Sequence, residues 1–410
     1  MVGARSGRWV WAVVGLLACS SVACSQEPTE PDPEERSSAA APSTSSPTGP
    51  PTSAPPSSAP GDGATVRDAR PLREVAEVIA EWPLLEHGTR TVFRALRGNE
   101  LLVNQFDDSV GQSLGLAVRT IADPRSDTPV AGHEGAQEGV LSADLDQQAV
   151  VWMESPSTEL GVAPWVLYAT DRRSGLTTRL SESGTVDGEA PPPVPGFTGP
   201  VLSGGTVYWA EVSGHVGAES VDIRACEVDQ CTPRRVVRGA ALPAVADGSL
   251  YFAAGGRYRG DPAASDYRLC RLDLGTGTTD VVRELDLGGA TPTGLAAAED
   301  HVVVTVDAGE DGWVDVFDLE AGTALRIETD PLGSFVYPKV TPDFAVWAEG
   351  NSGADSSVGG YLLHFDSGEV YSVGNTAGLY NLEADGDTIV WQESSGPRPQ
   401  DITTVIGRFS

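Results

Sequence analysis

The hydrophobic positions of this chain recur in short runs and do not follow the 3.6-residue period of helices. In the commonest run a small turn precedes three consecutive apolar residues, and acidic or small residues follow. Seven such runs end at Val103, Trp152, Trp209, Phe252, Val304, Trp347 and Trp391. Short apolar runs bounded by turns are typical of buried strands. The pattern therefore predicts an all-β chain with few helices.

Each repeat contains further segments with the pattern of strands. An alternating segment that ends in Asp follows the apolar run, and a Gly-bearing turn leads from it into another strand. A shorter strand precedes the apolar run, as at residues 243–245 and 338–340. The apolar runs are separated by 43 to 57 residues. Four strands repeated at about 40–50 residues are typical of the blades of a β-propeller.

The repeats predict a β-propeller domain over residues 64–410 with seven four-stranded blades. Six blades are the alternative, because the first repeat is the weakest. The last repeat ends after its third strand, at residues 402–409, so an earlier strand is expected to complete it and close the ring. That strand is expected from the segment before residue 91. Within this segment, residues 75–82 could form a short helix or an edge strand. Large apolar residues of the second strands are expected to fill the spaces between blades.

The N-terminus has the features of a signal peptide over residues 1–24. Two arginines precede an apolar run at 9–18, which is too short to span a bilayer core of about 30 Å. The segments ending at Cys19 and Cys24 resemble the bacterial lipobox, which implies cleavage before the cysteine and lipid attachment to its sulfur. Cys24 is preferred, since cleavage at Cys19 leaves a short apolar core. An ordinary secretory signal is the alternative.

Residues 25–63 are rich in Pro, Ser, Thr and Ala and contain no aromatic residue. Such a segment cannot bury enough apolar surface to offset the entropy of ordering, and proline extends it. It is predicted to be a disordered linker that tethers the domain. The chain is therefore expected to be exported and anchored to the outer face of the cell membrane, with the lipidated cysteine as its only membrane contact.

The net charge narrows the choice of partners. The chain has 27 Lys and Arg residues against 58 Asp and Glu residues, a formal net charge of -31. Such a surface repels phosphate backbones and anionic lipid headgroups, so nucleic-acid binding and a polybasic membrane contact are excluded as main functions. It favours solubility, cations or basic partners, and we expect a monomer.

One known family has similar repeats. The Asp-x-x-Ser/Thr-Gly turns and the segments at 340–343 and 346–349 resemble the TolB-type, WD40-like propeller repeats of bacterial envelope proteins. The resemblance covers most of residues 91–410 and implies the propeller fold. It does not imply a ligand, because this fold serves many functions. The Trp-Asp signature of WD40 proteins is absent from the sequence, and Gly-His does not recur from repeat to repeat.

Three cysteines belong to the predicted domain. Cys226 and Cys231 flank a four-residue turn, so their Cα atoms can approach to the 4.4–6.8 Å that a disulfide needs. Export to an oxidising compartment favours this bridge. Cys270 holds the place in the fourth repeat that Cys226 holds in the third, and it is expected to be a buried free thiol. A Cys226–Cys270 bridge between blades is the alternative.

Two sets of residues are candidates for a ligand face. Four repeats place Glu two residues after the end of the apolar run, at Glu154, Glu211, Glu349 and Glu393. An acidic ring at the channel mouth would attract a divalent cation or a basic ligand. The alternative is a repeated structural residue, and metal binding stays open. The second set is Arg257, Tyr258 and Arg259 in a long connection, since Arg and Tyr are favoured in binding sites; an exposed variable loop is its alternative.

No catalytic motif is present in the sequence, and no cofactor is predicted. The sequence therefore favours a binding or scaffold module for a protein or cell-envelope component. A secreted enzyme acting on polysaccharide or peptide is the alternative. Two or three carboxylates with an arginine in a deep central pocket would favour the enzyme. A shallow open face with exposed aromatic residues would favour the binding module.

Overall fold

A computed structural model describes the propeller and the segment that precedes it. The described residues are 66, 69–131, 139–155, 164–189, 199–215, 219–255, 267–308, 312–329, 338–348, 360–373, 382–396 and 398–409. The predicted signal peptide, with Cys19 and Cys24, and the predicted linker lie outside these ranges. Their roles therefore stay predictions.

The described residues form thirty strands, and the first two precede the propeller repeats. They are β1 (Arg70–Pro71) and β2 (Glu77–Pro83). The first blade begins with a short additional strand, β3 (Leu85–Glu86). Its first to fourth strands are β4 (Thr89–Arg97), β5 (Glu100–Asp107), β6 (Gln112–Thr120) and β7 (Asp123–Ala131). The second contains β8 (Gly139–Leu145), β9 (Ala149–Ser155), β10 (Val166–Asp171) and β11 (Thr177–Glu182). The third contains β12 (Val201–Ser203), β13 (Thr206–Ser213), β14 (Ser220–Glu227) and β15 (Arg234–Arg238).

The other four blades follow the same plan. The fourth contains β16 (Ala240–Ala246), β17 (Ser249–Ala254), β18 (Arg268–Asp273) and β19 (Thr279–Glu284). The fifth contains β20 (Thr291–Ala298), β21 (His301–Asp307), β22 (Gly312–Asp318) and β23 (Thr323–Thr329). The sixth contains β24 (Lys339–Val340), β25 (Phe344–Ala348), β26 (Gly360–His364) and β27 (Val370–Ser372). The seventh contains β28 (Glu383–Asp385), β29 (Thr388–Ser394) and β30 (Ile402–Arg408).

Seven separate sheets confirm the prediction of seven blades. Within each blade, successive strands pair antiparallel with their neighbours. The helical content of the described residues includes the 3-10 turns Leu72–Glu74, Val228–Gln230 and Pro399–Asp401. No helix in the described part of the chain is both long and apolar enough to cross a membrane.

The second strand of a blade is buried on both faces, which explains its continuous apolar run. All seven residues of β9 are buried. Val150 and Trp152 pack against the first blade, whereas Val151 and Met153 pack with Trp209 of the third. Successive strand residues point to opposite faces, so one strand supplies two blade interfaces. Aromatic residues fill the spaces between blades as predicted, and Trp209, Phe252, Trp347 and Trp391 are each no more than 1% exposed.

A strand from the N-terminal segment closes the ring. β2 pairs antiparallel with β30 and becomes the outer strand of the seventh blade. Residues 75–82 therefore contribute an edge strand, and the alternative of a helix is wrong. Trp82 of β2 packs with Phe93 and Leu101 of the first blade and with Ile406 of the seventh. Arg73 adds ion pairs to Glu81 of β2 and to Glu393 of β29.

The two ends of the propeller differ in the length of their connections. Short turns join the first strand of each blade to the second, as at Gly98–Asn99 and Gly204–Gly205. We call this the turn end. The second strands end and the third strands begin at the opposite end, and the stretch of sequence between them is long at 156–165 and 255–267. We call this the loop end.

A disulfide joins Cys226 at the end of β14 to Cys231, with 5.0 Å between the Cα atoms. Cys270 on β18 is a buried free thiol. The bridge closes a short loop, so chain entropy limits its contribution to about 2 kcal/mol. Replacing both Cys226 and Cys231 with Ser is therefore expected to lower the free energy of unfolding by about that amount, with blade order intact. Urea unfolding checks this; a Cys270→Ser variant, which breaks no bridge, is the control.

Candidate functional site: the central channel

The first strands of all seven blades surround a central channel of about 480 Å³. A cavity of this size lies within the usual range for small-molecule sites. The charged residues of its wall come from β4, β8, β24 and β28 and are Arg90, Arg94, Arg97, Asp144, Lys339, Glu383 and Asp385. Four cations and three carboxylates thus face the channel of a protein whose overall charge is strongly negative.

The channel wall has a charged side and an uncharged side. All the charged residues belong to the sixth, seventh, first and second blades, which are consecutive around the ring. The described wall of the third, fourth and fifth blades is built from small and apolar residues instead: Gly199, Pro200, Val201, Pro243, Ala244, Val245, Leu295, Ala296 and Ala297. A ligand in this channel would meet ionic partners on one side and apolar contacts on the other.

On the charged side, ion pairs connect the sixth blade to the seventh and the first blade to both the seventh and the second. Lys339 Nζ lies 2.9 Å from Glu383 Oε2, which joins the sixth and seventh blades. Arg97 of the first blade lies 3.4 Å from Asp385 of the seventh and 4.0 Å from Asp144 of the second. We call these five residues the ion cluster. It lies at the turn end, because each member is close to the turn after its first strand.

Backbone hydrogen bonds fix two of these carboxylates. The Leu202 amide of the third blade donates to Asp144 Oδ2 at 2.8 Å. The Gly98 amide of the first blade donates to Asp385 Oδ2 at 2.6 Å. Both carboxylates therefore bridge to the next blade and are held in place independently of any ligand. Glu383 has its Lys339 contact and is 11% exposed.

Lys339 is the single lysine of the 410-residue chain. About a third of its side chain, 32%, is accessible from the channel. Burial lowers its pKa, but the carboxylates of Glu383 and Asp144 outweigh burial, and the net pKa is raised above the ordinary value. The amine is therefore an ammonium ion at neutral pH. It acts as a fixed cation and hydrogen-bond donor.

When all are ionised, the three carboxylates of the ion cluster carry one more charge than its two cations, Arg97 and Lys339. Burial raises the pKa of Glu383, although Lys339 lowers it in part. Burial likewise raises the pKa of Asp144, against the opposing effect of Arg97 and Lys339. Removal from water disfavours the ionised form of a carboxyl, which is the physical cause in both cases. The turn end can therefore accept a proton or a positively charged group.

Two arginines line the described channel wall toward the loop end. Arg90 lies at the start of β4, and its guanidinium stacks over the Phe106 ring, 5.1 Å from the centroid. Its Nε is 3.9 Å from Asp108 Oδ1 and buried without a hydrogen bond. Arg94 lies further along β4, between Arg90 and the ion cluster. A guanidinium that is stacked and partly desolvated is well suited to a carboxylate or phosphate.

One strand, β4, supplies three arginines to the channel wall. Residues 90, 92, 94 and 96 alternate onto the wall, as a strand period of two requires, and Arg97 at the end of the strand reaches it as well. The register of β4 against β5 shifts between Phe93 and Ala95.

The glutamates predicted as a ligand face lie between blades. The Trp152 indole donates to Glu154 at 2.5 Å, and the Trp391 indole donates to Glu393 at 2.9 Å. Glu211 is 2.9 Å from Arg224 Nε and is buried. Burial raises the pKa of Glu211, against Arg224. None of these three described glutamates belongs to the channel wall.

The other predicted ligand residues cannot be placed. Glu349, Arg257, Tyr258 and Arg259 lie outside the described residues. Among the residues that the structure does describe, no group of three His, Cys, Asp or Glu side chains is arranged to hold a metal ion. The hypothesis of an acidic, cation-binding ring thus has no described geometry that supports it.

Sequence reasoning missed the ion cluster, although one signal was present. The first strands at 243–245 and 338–340 were recognised as equivalent segments, Pro-Ala-Val and Pro-Lys-Val. In the fourth blade the equivalent position is Ala244, and the described wall of the third, fourth and fifth blades carries no charge. A lysine at 339, the single lysine of the chain, is therefore a difference between equivalent strands that the sequence already shows.

No protein family compared with this chain matches it. No curated protein matches it in sequence. Solved structures do resemble it. An oligogalacturonate lyase from Vibrio parahaemolyticus has a TM-score of 0.51 and 10% identity, over 80% of this chain and 93% of that chain.

Two further solved structures are similar. An oligogalacturonate lyase in complex with manganese has a TM-score of 0.49 and 10% identity, over 82% of this chain and 96% of that one. The β-propeller domain of the Trilobed protease from Pyrococcus furiosus has a TM-score of 0.48 and 9% identity, over 77% and 95%. At such identities the resemblance shows the propeller fold alone. The protein is a seven-bladed β-propeller with a charged central channel.

Proposed function

We propose that this chain is an exported, lipid-anchored binding module of the bacterial cell envelope, and that it holds its ligand in the central channel. The observation that carries the proposal is the ion cluster with Lys339. Burying charged groups costs free energy unless they are paired, and apolar side chains could fill a channel that has only a structural role. The charged groups on the wall therefore favour a role in binding. A charged wall beside an apolar wall is the usual composition of a ligand site.

The proposed location and family rest on the sequence. The lipobox-like segments at Cys19 and Cys24, followed by the predicted linker, favour a tethered surface protein. The repeats that resemble TolB-type propellers favour a role in the cell envelope. A Cys24→Ala variant is expected to stay unlipidated and to be released from the membrane, whereas Cys19→Ala stays anchored. Membrane fractionation with mass analysis of the mature N-terminus checks this; release by Cys19→Ala alone would assign the anchor to Cys19 instead.

Native mass spectrometry of the mature chain tests ligand binding. The probe is a size-fractionated muramidase digest of a Gram-positive-type envelope. We expect one fraction to leave a non-covalent adduct on the wild type and on Arg271→Ala, a control whose arginine lies outside the described channel wall on β18. Arg97→Gln and Arg94→Ala, which alter the channel, are expected to lose the adduct. No adduct on the wild type, or equal adducts on all four proteins, would contradict binding in the channel.

An enzyme acting on polysaccharide or peptide is the second candidate. The observation that favours it is the combination in the channel of three carboxylates with Arg97, because perturbed carboxyl groups in a cavity are candidates for acid–base roles. The raised pKa of Glu383 would suit a general acid. If the protein is an enzyme, the adduct is converted on prolonged incubation, and Glu383→Gln abolishes conversion while the ligand still binds. An adduct of constant mass in wild type and variant alike excludes turnover.

A further inference from the structure

Lys339 and Glu383 place a hydrogen-bond donor and an acceptor side by side on the channel wall. Lys339 Nζ lies 2.9 Å from Glu383 Oε2, and both residues line the channel. An ammonium group has three donors, and a carboxylate has about four acceptor sites. Their mutual contact uses only part of this capacity, and the described residues offer neither group another hydrogen bond. A donor and an acceptor therefore remain for a ligand.

The other two carboxylates of the ion cluster already have backbone donors. Asp144 accepts hydrogen bonds from two backbone amides, each at 2.8 Å. Asp385 accepts one from the Gly98 amide at 2.6 Å and lies 3.4 Å from Arg97. Glu383 has no backbone donor among the described residues. It is therefore the carboxylate of the ion cluster that is best able to accept a hydrogen bond from a ligand.

The closeness of Lys339 and Glu383 disfavours a simple ion as the ligand. An anion beside Lys339 would also meet the carboxylate of Glu383, and a cation beside Glu383 would also meet the ammonium ion. The other arginines of the wall do not change this, since Arg90 lies 3.9 Å from Asp108 and Arg94 has an interaction partner as well. A neutral group with a donor next to an acceptor would satisfy both members of the pair.

The uncharged side of the channel restricts the rest of the ligand. In the described part of the third, fourth and fifth blades, this wall consists of small, proline and aliphatic residues, such as Ala244 and Leu295. It suits the apolar part of a ring. A sugar carries hydroxyls around its whole rim, and those facing this side would lose hydrogen bonds to water without replacement. The wall therefore favours a ligand with a single polar edge.

We infer that the channel binds a neutral molecule with a cis-amide edge, such as a lactam or a cyclic dipeptide. The N–H and C=O groups of a cis amide lie on the same side of the planar bond, so the N–H would donate to Glu383 while the C=O accepts from Lys339. An ordinary trans peptide bond directs these two groups to opposite sides and cannot contact both residues. This inference rests on the proposed function, because it names the ligand class of the same channel.

The single lysine provides the reporter for a test. The chain from residue 25 onward, labelled with ¹³C on lysine, gives one Lys339 ¹³Cε signal, which is followed at pH 7 during titration. The probes are the cyclic dipeptide cyclo(Ala-Ala), its N,N′-dimethyl derivative, zwitterionic dialanine and methyl glucoside. We expect a saturable shift with cyclo(Ala-Ala) and affinity at least about tenfold weaker for the dimethyl derivative, which lacks the donor to Glu383. Dialanine and the glucoside are expected to bind as weakly.

Variants assign the amide edge to the ion pair. The double variant Lys339→Met with Glu383→Leu removes donor and acceptor together, and binding to it is followed through the signals of the probe by saturation transfer. It is expected to bind cyclo(Ala-Ala) and the dimethyl derivative equally weakly. Glu383→Gln, which keeps the lysine reporter, is expected to show a smaller preference for the free amide. Arg271→Ala is expected to keep the full preference.

Three results would overturn the inference. The first is a dimethyl derivative, dialanine or glucoside that binds as tightly as cyclo(Ala-Ala). The second is a double variant that keeps the preference for the free amide. The third is failure of cyclo(Ala-Ala) to bind a protein that still holds an envelope fraction, in which case the proposed function stands. If neither cyclo(Ala-Ala) nor any fraction binds, both fail.

Discussion

Replacing Lys339 with Met is expected to lower the free energy of unfolding by about 3 kcal/mol at pH 8. The substitution keeps the aliphatic stem but leaves Glu383, which is 11% exposed, without its 2.9 Å ammonium partner. Removal of one member of a buried ion pair costs about 3–5 kcal/mol, because the remaining charge is uncompensated. The lower end applies here, since the channel gives Lys339 partial access to water.

The pH dependence of this loss has a definite sign. Burial raises the pKa of folded Glu383, so the folded state binds its proton more tightly than the unfolded state does. At pH 5 the Lys339→Met variant can keep Glu383 protonated and therefore uncharged. Glu383, Asp144 and Arg97 are the charged groups that act on Lys339. The loss is thus expected to grow from pH 5 to pH 8.

Urea unfolding at pH 5 and pH 8 measures the effect, with two matched variants. Glu383→Gln is expected to be destabilised less than Lys339→Met at pH 8, because it relieves the surplus of carboxylates. The double variant Lys339→Met with Glu383→Leu is expected to recover most of the stability, as apolar replacements of buried ion pairs often do. A loss for Lys339→Met that is independent of pH and unrelieved in the double variant would show that packing, and not charge, explains it.

Removal of β2 is expected to have the other large effect. A chain that begins at residue 84 lacks the outer strand of the seventh blade, so β30 becomes an unpaired edge. It also loses Trp82, which is 8% exposed in the interface between the seventh and first blades. Deletion of a buried Trp side chain alone costs about 3–5 kcal/mol, and domain stability is about 5–15 kcal/mol in total. Exposed edges also favour association.

A pair of truncations tests the N-terminal segment, which contributes the buried Val66 and Leu72 as well as β1 and β2. The chain that begins at residue 64 keeps all of these and is expected to unfold cooperatively at the temperature of the mature protein. The chain that begins at residue 84 is expected to lose at least about 4 kcal/mol of stability, or to aggregate. Scanning calorimetry and light scattering distinguish the two. Equal melting of both truncations would mean that the ring is closed without β2.

The sequence predicts the blades well because their determinants are local. Second strands are buried on both faces, so each one is a continuous apolar run, as Ala149–Ser155 shows. Turn residues mark the strand ends. The missing fourth strand of the last repeat also predicted closure of the ring by a strand from before residue 91, and β2 is that strand. The pairing of Trp152 with Glu154 follows from the same period of two, which places both on one face of β9.

The channel chemistry could not be predicted in this way, because its members are distant in the sequence. Arg97, Lys339 and Asp385 meet only after the ring has brought the first strands of different blades together. The register shift in β4, between Phe93 and Ala95, has no clear sequence signal either. The repeated glutamates lie at the blade interfaces, whereas the channel site is formed by residues that do not repeat. A residue that differs from its equivalents in the other repeats, such as Lys339, therefore indicates the site better than a residue that recurs.

The most direct test of a functional channel is the ¹³Cε signal of Lys339 in the mature chain, recorded at pH 7 while the envelope fraction retained in mass spectrometry is added. The account predicts a saturable shift of this one signal, at the concentration at which the adduct forms, in the wild type and in Arg271→Ala. An adduct that forms without moving the Lys339 signal would place the ligand elsewhere on the propeller and contradict the account.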